Sequence, residues 1–375
     1  MRRIRSARFK HELLITIFIH RDRLLHNLRE FQRLSSTTTV APVLKSNAYG
    51  HGLIEIARML DKERLPFFCI DSYVEALILR NESIRTPLLI LGYTSLGNIL
   101  HNHLKNVSFG ITSLEELKRL CAQASRPITV HLKIDTGMHR QGIMPAELEE
   151  AFRAVQSNPR VNAEGIYSHF ADADTPDSKL TTTQIERWNA AVRQAKASLP
   201  SVRHFHVSNT AGSHHAAHIE ATMMRLGIGL YGFNVTLNRA LALQPPLEMK
   251  ARITSLRTLA PGEKIGYNAT FETKKKMVVA TIPVGYAEGM DRRLSNLGAV
   301  TVRGSVCPIV GRVSMNITSV DVSAVPDPRL DEEVLVISME PGALNSIERM
   351  AELCHTIPYE LLVHLPAQLR RTVVS

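Results

Sequence analysis

Val40-Ala41-Pro42-Val43-Leu44-Lys45-Ser46-Asn47-Ala48-Tyr49-Gly50-His51-Gly52 is the stretch on which the reading of this chain turns. An apolar run holding one proline leads into a lysine. A small, polar, glycine-rich turn follows, and Leu53–Glu63 then carries apolar residues at helical spacing (Leu53, Ile56, Ala57, Leu60). The pattern is strand, lysine, turn, helix. A charge at the end of a buried strand is unusual, because an ammonium without a partner either reaches back to water or loses its proton more easily. A lowered pKa is what a Schiff-base lysine needs, since only the neutral amine attacks an aldehyde. The company of Tyr49, Gly50, His51 and Gly52 favours that chemical reading over a solvated strand end.

Outward from Lys45 the sequence alternates. Apolar runs at Thr39–Lys45, Phe67–Asp71, Leu88–Leu91, Val107–Ile111, Ile128–Ile134, Ala163–His169, His204–Ser208 and Met224–Tyr231 read as strands. Val74–Arg80, Leu114–Ala124, Ala146–Gln156 and Thr182–Lys196 lie between them and read as amphipathic helices. Short, nearly continuous apolar strands separated by helices imply parallel pairing with both faces covered. Eight such strands close a barrel, so the expectation is an α/β chain with a (β/α)8 TIM barrel over residues 10–240.

The pattern changes beyond Pro245-Pro246. Leu247–Leu256, Met277–Pro283, Val300–Val302, Cys307–Val310, Ile317–Val322 and Glu333–Ile337 are β-like, with glycine and proline turns between them, and helical spacing returns only at Ile347–Cys354. This predicts a mostly β domain over residues 241–375, with the N-terminal strand a candidate to join it.

A chain of 375 residues is long for one compact domain, which agrees with a large barrel and a second unit. The formal charge is +10, and five basic residues (Arg2, Arg3, Arg5, Arg8, Lys10) fall within the first ten. Elsewhere acids and bases are interspersed, and no basic run with interleaved aromatics suggests a nucleic-acid partner. A phosphate or carboxylate ligand suits this balance better. Cys69, Cys121, Cys307 and Cys354 are far apart and form no C-x-x-C, so they read as buried thiols of a reducing, cytoplasmic setting rather than a disulfide framework or metal site. Leu13–Ile19 imitates the core of a signal peptide, but His20-Arg21-Asp22-Arg23 follows where small cleavage-site residues belong. A strand feeding a helix at Arg23–Leu34 is the reading adopted. No apolar run reaches the roughly 18 residues of a membrane span.

In such a barrel the active site lies at the C-terminal ends of the strands. Polar residues gather at those ends: Lys45 after strand one, Lys133, Asp135 and Arg140 after strand five, Ser168-His169 after strand six, and Ser208-Asn209-Thr210 after strand seven. Arg225-Leu226-Gly227-Ile228-Gly229 marks strand eight. The loops after strands seven and eight commonly hold phosphate through backbone N–H groups, and Ser208 with Gly227 and Ile228 suits that role.

These segments also carry a resemblance. Lys45–Gly52 matches K-[AS]-[DN]-[AG]-Y-G-H-G throughout, the pyridoxal-phosphate attachment signature of the alanine racemase family. Lys133–Gly142, Ser168–Asp174, Ser208–Ala211, Arg225–Gly232, Ile265–Tyr267, Pro283–Gly289 and Val310–Met315 resemble further blocks of that family, so the likeness fades only at the N-terminal tail.

The resemblance implies an isomerase that interconverts L- and D-alanine on pyridoxal 5'-phosphate, supplying D-alanine for peptidoglycan. Lys45 would hold the cofactor and act as one acid–base group, with Tyr267 as the second on the opposite face of the substrate. Arg225 would face the pyridine nitrogen and bond to His169, which in turn contacts the tyrosine. Tyr49, Tyr359, Ser208, Gly227 and Ile228 would surround the phosphate. Arg140 and the Met315 backbone would meet the substrate carboxylate, and Lys133 is marked for carbamylation, which would turn a like-charge neighbour of Arg140 into an anion. Tyr267 and Met315 would arrive from the second subunit of a head-to-tail homodimer, with Tyr286 and Arg312 lining the mouth of the shared site.

One departure stands out. The family motif continues with aspartate after Ser-Met, and here the residue is Asn316. That makes a broad-specificity amino-acid racemase the main alternative, and Asp172 beside His169 is another unexpected acid. A decarboxylase on the same barrel would place an acid where Arg225 stands, and a cofactor carrier without catalysis would have no use for Tyr267.

Overall fold

The computed structural model describes residues 12–34, 37–238 and 240–375, so the basic cluster Arg2–Lys10 lies outside the described residues. The chain divides into two compact units, Arg21–Pro245 and a second built from residues up to His20 together with Pro246–Ser375.

In the first unit, Phe68–Ile70, Leu88–Ile90, Val107–Ile111, Ile128–Lys133, Val161–Tyr167 and His204–His206 form one parallel sheet of six strands in chain order. Thr39–Pro42 pairs in parallel with Met223–Leu226. The ring closes at two seams. A parallel bridge joins Val43 to Cys69 on one side. On the other, Thr222 N–H donates to Phe205 O (2.9 Å) and Arg225 N–H to Ser208 O (2.9 Å). Eight parallel strands in a closed ring are the expected barrel.

The helices bury one stripe each. Leu114–Gln123 turns Leu114, Leu117, Leu120 and Cys121 inward, and the Ser113 hydroxyl caps it by accepting from the Glu116 N–H. Tyr73–Asn81 begins with a full capping box, in which Ser72 and Glu75 each satisfy the other's backbone.

Two boundaries differ from the sequence reading. Strand one stops at Pro42, and Lys45 opens a separate turn rather than ending the strand. Strand eight stops at Leu226, because Gly227 breaks the extended backbone and Ile228–Tyr231 coils into a single 3-10 turn.

The second unit is mostly β. Its larger sheet runs in the order Ser305–Pro308, Ala299–Val302, Glu333–Ile337, Leu247–Arg252, Ile15–His20, Arg371–Val374. Ile15–His20 lies antiparallel to Leu247–Arg252 and parallel to Arg371–Val374. A three-stranded sheet (Ser255–Leu259, Met277–Ile282, Thr318–Asp321) and a short hairpin (Lys264–Ile265 with Phe271–Glu272) complete it. The expected strand Leu247–Leu256 is therefore two strands in two sheets. All four cysteines are buried and free. Among the described residues no helix is long and apolar enough to cross a membrane, and no cluster of three or more metal-ligating side chains occurs.

Candidate active site

The turn after Leu44 sets the geometry of the barrel rim. Ser46, Asn47, Ala48 and Tyr49 all have φ between 51° and 56°, so four consecutive non-glycine residues wind left-handed. Such a conformation costs roughly 1–2 kcal/mol per residue and persists only where its surroundings impose it. Here they do. The Glu75 carboxylate accepts from the Ser46 N–H (2.8 Å), Asn47 Oδ1 accepts from the Leu53 N–H (2.9 Å), and the ring of Tyr49 packs on Tyr231 at 4.9 Å between centroids. His51 lies on the same Tyr231 ring and bonds the Tyr49 carbonyl, while the Tyr231 hydroxyl donates to Val43 O (2.9 Å). Glu75 and Tyr231 were not singled out from the sequence. The capping-box spacing of Ser72 and Glu75 was the available signal for the first.

Lys45 emerges from this turn with its side chain 41% exposed and its Nζ 3.9 Å from Asp71 Oδ1. The desolvated amine expected from a strand end is not what the fold supplies. The lysine stands open at the rim, close enough for its charge to bear on Lys133 and His169.

Arg225 is deeply held at the rim. It is 3% exposed, and its Nη1 donates to Nδ1 (2.8 Å) and O (2.6 Å) of His206. Nη2 donates to the carbonyls of Ser168 (2.6 Å) and Val207 (3.1 Å) and to Nδ1 of His169 (3.2 Å). Burial, then the positive charges of Arg225, Arg140, Lys133 and Lys45, push His169 down to about 3, so its imidazole is neutral at working pH. Lys133 is pushed down to about 8 by burial and by Arg140 and Arg225. Its Nζ sits over the ring of Tyr167 at 5.9 Å and donates to Gln141 Oε1 (3.4 Å). Asp135 shapes the following loop by accepting from the Gly137 and His139 N–H groups, and Arg140 stands exposed beyond it.

The phosphate-binding expectation needs one revision. Ser208 Oγ donates to Gly212 O (3.3 Å), and the residue lines a pocket with Phe31, Leu34 and Met224, on the helix side of the strand. Thr210 is the hydroxyl that faces the rim. Its Oγ1 accepts from the Gly229 N–H (3.2 Å), and a Cβ added to Gly227 would lie 2.9 Å from Tyr49 Oη and 3.9 Å from Thr210 Oγ1. Tyr49, Thr210 and the bare backbone of Gly227 thus border one small space. Two hydroxyls and a side-chain-free turn are the donor set a phosphate takes. The period-two alternation along Ser208-Asn209-Thr210 was a signal that Ser208 and Thr210 compete for this face, but not for which end of the strand is covered by helix.

Asp172 is accounted for structurally. It accepts from Thr175 (2.5 Å) and Ser178 (2.6 Å), organising the loop that leads into the helix Lys179–Ser198.

The remaining expected residues belong to the β unit. Tyr267 follows Gly266 (φ 74°) and is 66% exposed, Met315 is 56% exposed and Tyr286 44%. They share one edge. The Tyr286 and Ala287 N–H groups donate to Ser314 O and Met315 O, and a Cβ on Gly266 would lie 3.2 Å from Arg312 N. Asn316 donates to Glu288 Oε1 (2.8 Å), so a carboxylate remains beside the position where the family carries aspartate. Tyr359 lies half-buried on the helix Pro358–Val363.

Fold and rim together define a class: a parallel barrel that offers a lysine amine, a buried arginine and a phosphate-sized cradle at the C-terminal ends of its strands. The comparisons narrow it. The family models described as the alanine racemase N-terminal and C-terminal domains match residues 19–235 and 246–373. The alanine racemase of Syntrophobacter fumaroxidans is 37% identical over 344 residues, covering 90% of this chain and 92% of that protein. That of Sorangium cellulosum is 35% identical over 362 residues, covering 93% and 96%. Among solved structures, the alanine racemase of Clostridium difficile 630 superposes with a TM-score of 0.89 at 28% identity, covering 97% of each chain. The chain belongs to the alanine racemase family.

Proposed function

We propose that the protein interconverts L-alanine and D-alanine with pyridoxal 5'-phosphate as its cofactor. The observation that carries the reading is the setting of Arg225, buried and aimed by five acceptors on a rim that also presents Lys45 and the Tyr49–Thr210–Gly227 cradle. Tyr49, Thr210, Gly227 and Ile228, with Tyr359, would hold the phosphate, with Ser208 supporting the strand behind them. Lys45 would hold the aldehyde carbon, and Arg225 would donate to the ring nitrogen. Bound cofactor supplies an electron-withdrawing ring that acidifies the Cα–H of an attached amino acid.

The protein's own part is to move one proton on each face of Cα. Inversion requires one group to remove it and another, opposite, to return it. Lys45 and Tyr267 are assigned these roles. Arg225 cannot give up a proton at working pH, so it would polarise the ring nitrogen without protonating it. An arginine in that place would favour simple proton return at Cα over decarboxylation and transamination. Arg140 and the Met315 backbone would take the substrate carboxylate, and a carbamate on Lys133 would balance Arg140.

Exposure of Tyr267 and Met315 supports a homodimer in which each copy completes the other's site. The four free thiols suit a reducing cytoplasm. Supply of D-alanine for peptidoglycan is the role that follows. The test is direct: purified protein should racemise both alanine enantiomers, and Lys45→Ala and Tyr267→Phe should each lose activity. Mixed and re-assembled, the two inactive variants should recover about a quarter of the wild-type rate, since half the dimers then hold one intact site. No recovery would remove the shared-site assignment. Racemisation of lysine or arginine with alanine untouched would remove the substrate.

A further inference from the structure

Arg225 presents a problem of charge: its guanidinium is buried, and among the described residues it has no ion pair. Its hydrogen bonds lead to one nonetheless. Arginine only donates, so Nδ1 of His206 must accept at 2.8 Å, and a neutral His206 then carries its proton on Nε2. That nitrogen lies 2.8 Å from Nδ1 of His131, which must accept in turn. His131 therefore also carries its proton on Nε2, and this N–H faces Glu164 Oε1 at 3.3 Å. The Ser108 hydroxyl donates to the same oxygen. Every bond runs one way, from cation to carboxylate.

The surroundings enforce this chain. Burial and the charge of Arg225 hold His206 well below the ordinary imidazole range; burial also lowers His131, although Glu164 pulls the other way. Burial raises Glu164, but the bonds from His131 and Ser108 outweigh it and leave the carboxyl below its usual range. His206 lies flat on Tyr167, with 5.2 Å between centroids and 4° between planes. A Cβ on Gly165 would fall 2.3 Å from Nδ1 of His131, so glycine is what admits that ring. At the carboxylate end the chain also faces His204, stacked on His131 at 5.8 Å, and Arg203, 4.0 Å from Glu164 Oε2; at the Arg225 end it faces His169, Lys133, Cys69, Tyr49 and Tyr167. Glu164 and His204 border a cavity of about 480 Å³ at the N-terminal ends of the strands, the end of the barrel opposite Lys45.

We propose that Glu164 is the remote counter-charge of Arg225, acting through His131 and His206 as positioning residues that aim the guanidinium and temper how strongly it donates at the rim. This rests on the reading that Arg225 faces the cofactor ring. A carboxylate at the far end makes His131 a better acceptor, which makes His206 a better acceptor for Arg225. Positive charge is thereby drawn toward the barrel interior and away from the opposite face of the guanidinium.

The test has two arms. Nitrogen-15 NMR of the histidine side chains in the cofactor-free protein should find His131 and His206 neutral and protonated on Nε2 from about pH 5 to pH 9. Glu164→Gln keeps an acceptor oxygen and removes the charge, so it should move the Nδ1 resonances of both histidines while Ser108→Ala moves them less. A His206 protonated on Nδ1, or a His206 resonance indifferent to residue 164, overturns the chain. In the cofactor-loaded enzyme, Glu164→Gln should raise several-fold the share of turnovers ending in pyruvate instead of alanine, with KM unchanged. An unchanged share overturns the tempering role. A wild-type protein that takes up no pyridoxal phosphate would instead fail the functional reading, and the first arm alone would then decide the chain.

Discussion

Arg225 Nη2 and His169 Nδ1 lie 3.2 Å apart, and because the guanidinium can only donate, this contact fixes His169 as an acceptor at Nδ1 with its proton on Nε2. The imidazole offers the rim a neutral N–H donor. A neutral donor steadies a phenolate without handing it a proton, which is the service a tyrosine base requires.

The acidity of His169 gives the first prediction. Its folded pKa (about 3) lies below the ordinary imidazole value of 6.5, so between these values the unfolded chain binds a proton that the native one does not. Native stability therefore rises with pH through that window and is lost as pH falls through it. His169→Gln should remove part of this sensitivity, narrowing the melting-temperature gap between pH 4.5 and pH 8 by about 5 °C. An unchanged gap would place the acid sensitivity elsewhere.

Lys133 follows the same sign in a higher window. Its folded pKa of about 8 lies below the ordinary lysine value of 10.5, so the native state is penalised for carrying this charge at neutral pH and recovers as pH rises from 8. Lys133→Met should therefore stabilise the protein in bicarbonate-free buffer at pH 7 by about 3 kcal/mol. A neutral amine also reacts with carbon dioxide. Labelled bicarbonate should give the wild type, and not the variant, a carbamate carbon resonance.

The cradle makes a comparison between two hydroxyls. Thr210→Ala should weaken binding of pyridoxal phosphate by about 10- to 100-fold, the loss of one hydrogen bond to a charged group. Ser208→Ala, on the covered side of the strand, should change it less than about threefold. Titration of cofactor-free protein, followed by the visible absorbance of the bound group, ranks them. The reverse order would restore the first reading of Ser208.

Asn47 joins the left-handed turn to the helix Leu53–Leu60 through its bond to the Leu53 N–H. Asn47→Ala removes that cap and places alanine in a conformation asparagine tolerates better, for a loss of about 1–2 kcal/mol in chemical denaturation. Asn47→Gly relieves the backbone and should lose less than the alanine variant.

The barrel was legible because hydrophobic runs of strand length recur between amphipathic segments, and each of the eight expected strands has a counterpart in the closed ring. Strand ends were less legible. Val43 and Leu44 are apolar and buried without being strand, and nothing in residue type distinguishes a left-handed turn at Ser46–Tyr49 from continued β. In the β unit, Arg371–Val374 escaped notice because a short parallel edge strand has neither turn signals nor alternation to mark it. The site residues were found through motifs, whereas Thr210, Glu75 and the chain from His206 to Glu164 required three-dimensional neighbours.

The pairing of Ile15–His20 between Leu247–Arg252 and Arg371–Val374 has a consequence for biosynthesis. A ribosome delivers the first of these strands more than two hundred residues ahead of either partner. The barrel is thus free to form while still tethered to the ribosome, and Ile15–His20 must wait, its backbone edges open, until Leu247–Arg252 and Arg371–Val374 have been translated. The β unit is therefore completed after the barrel, and a chaperone that shields one nascent strand would be the cell's natural aid to this chain.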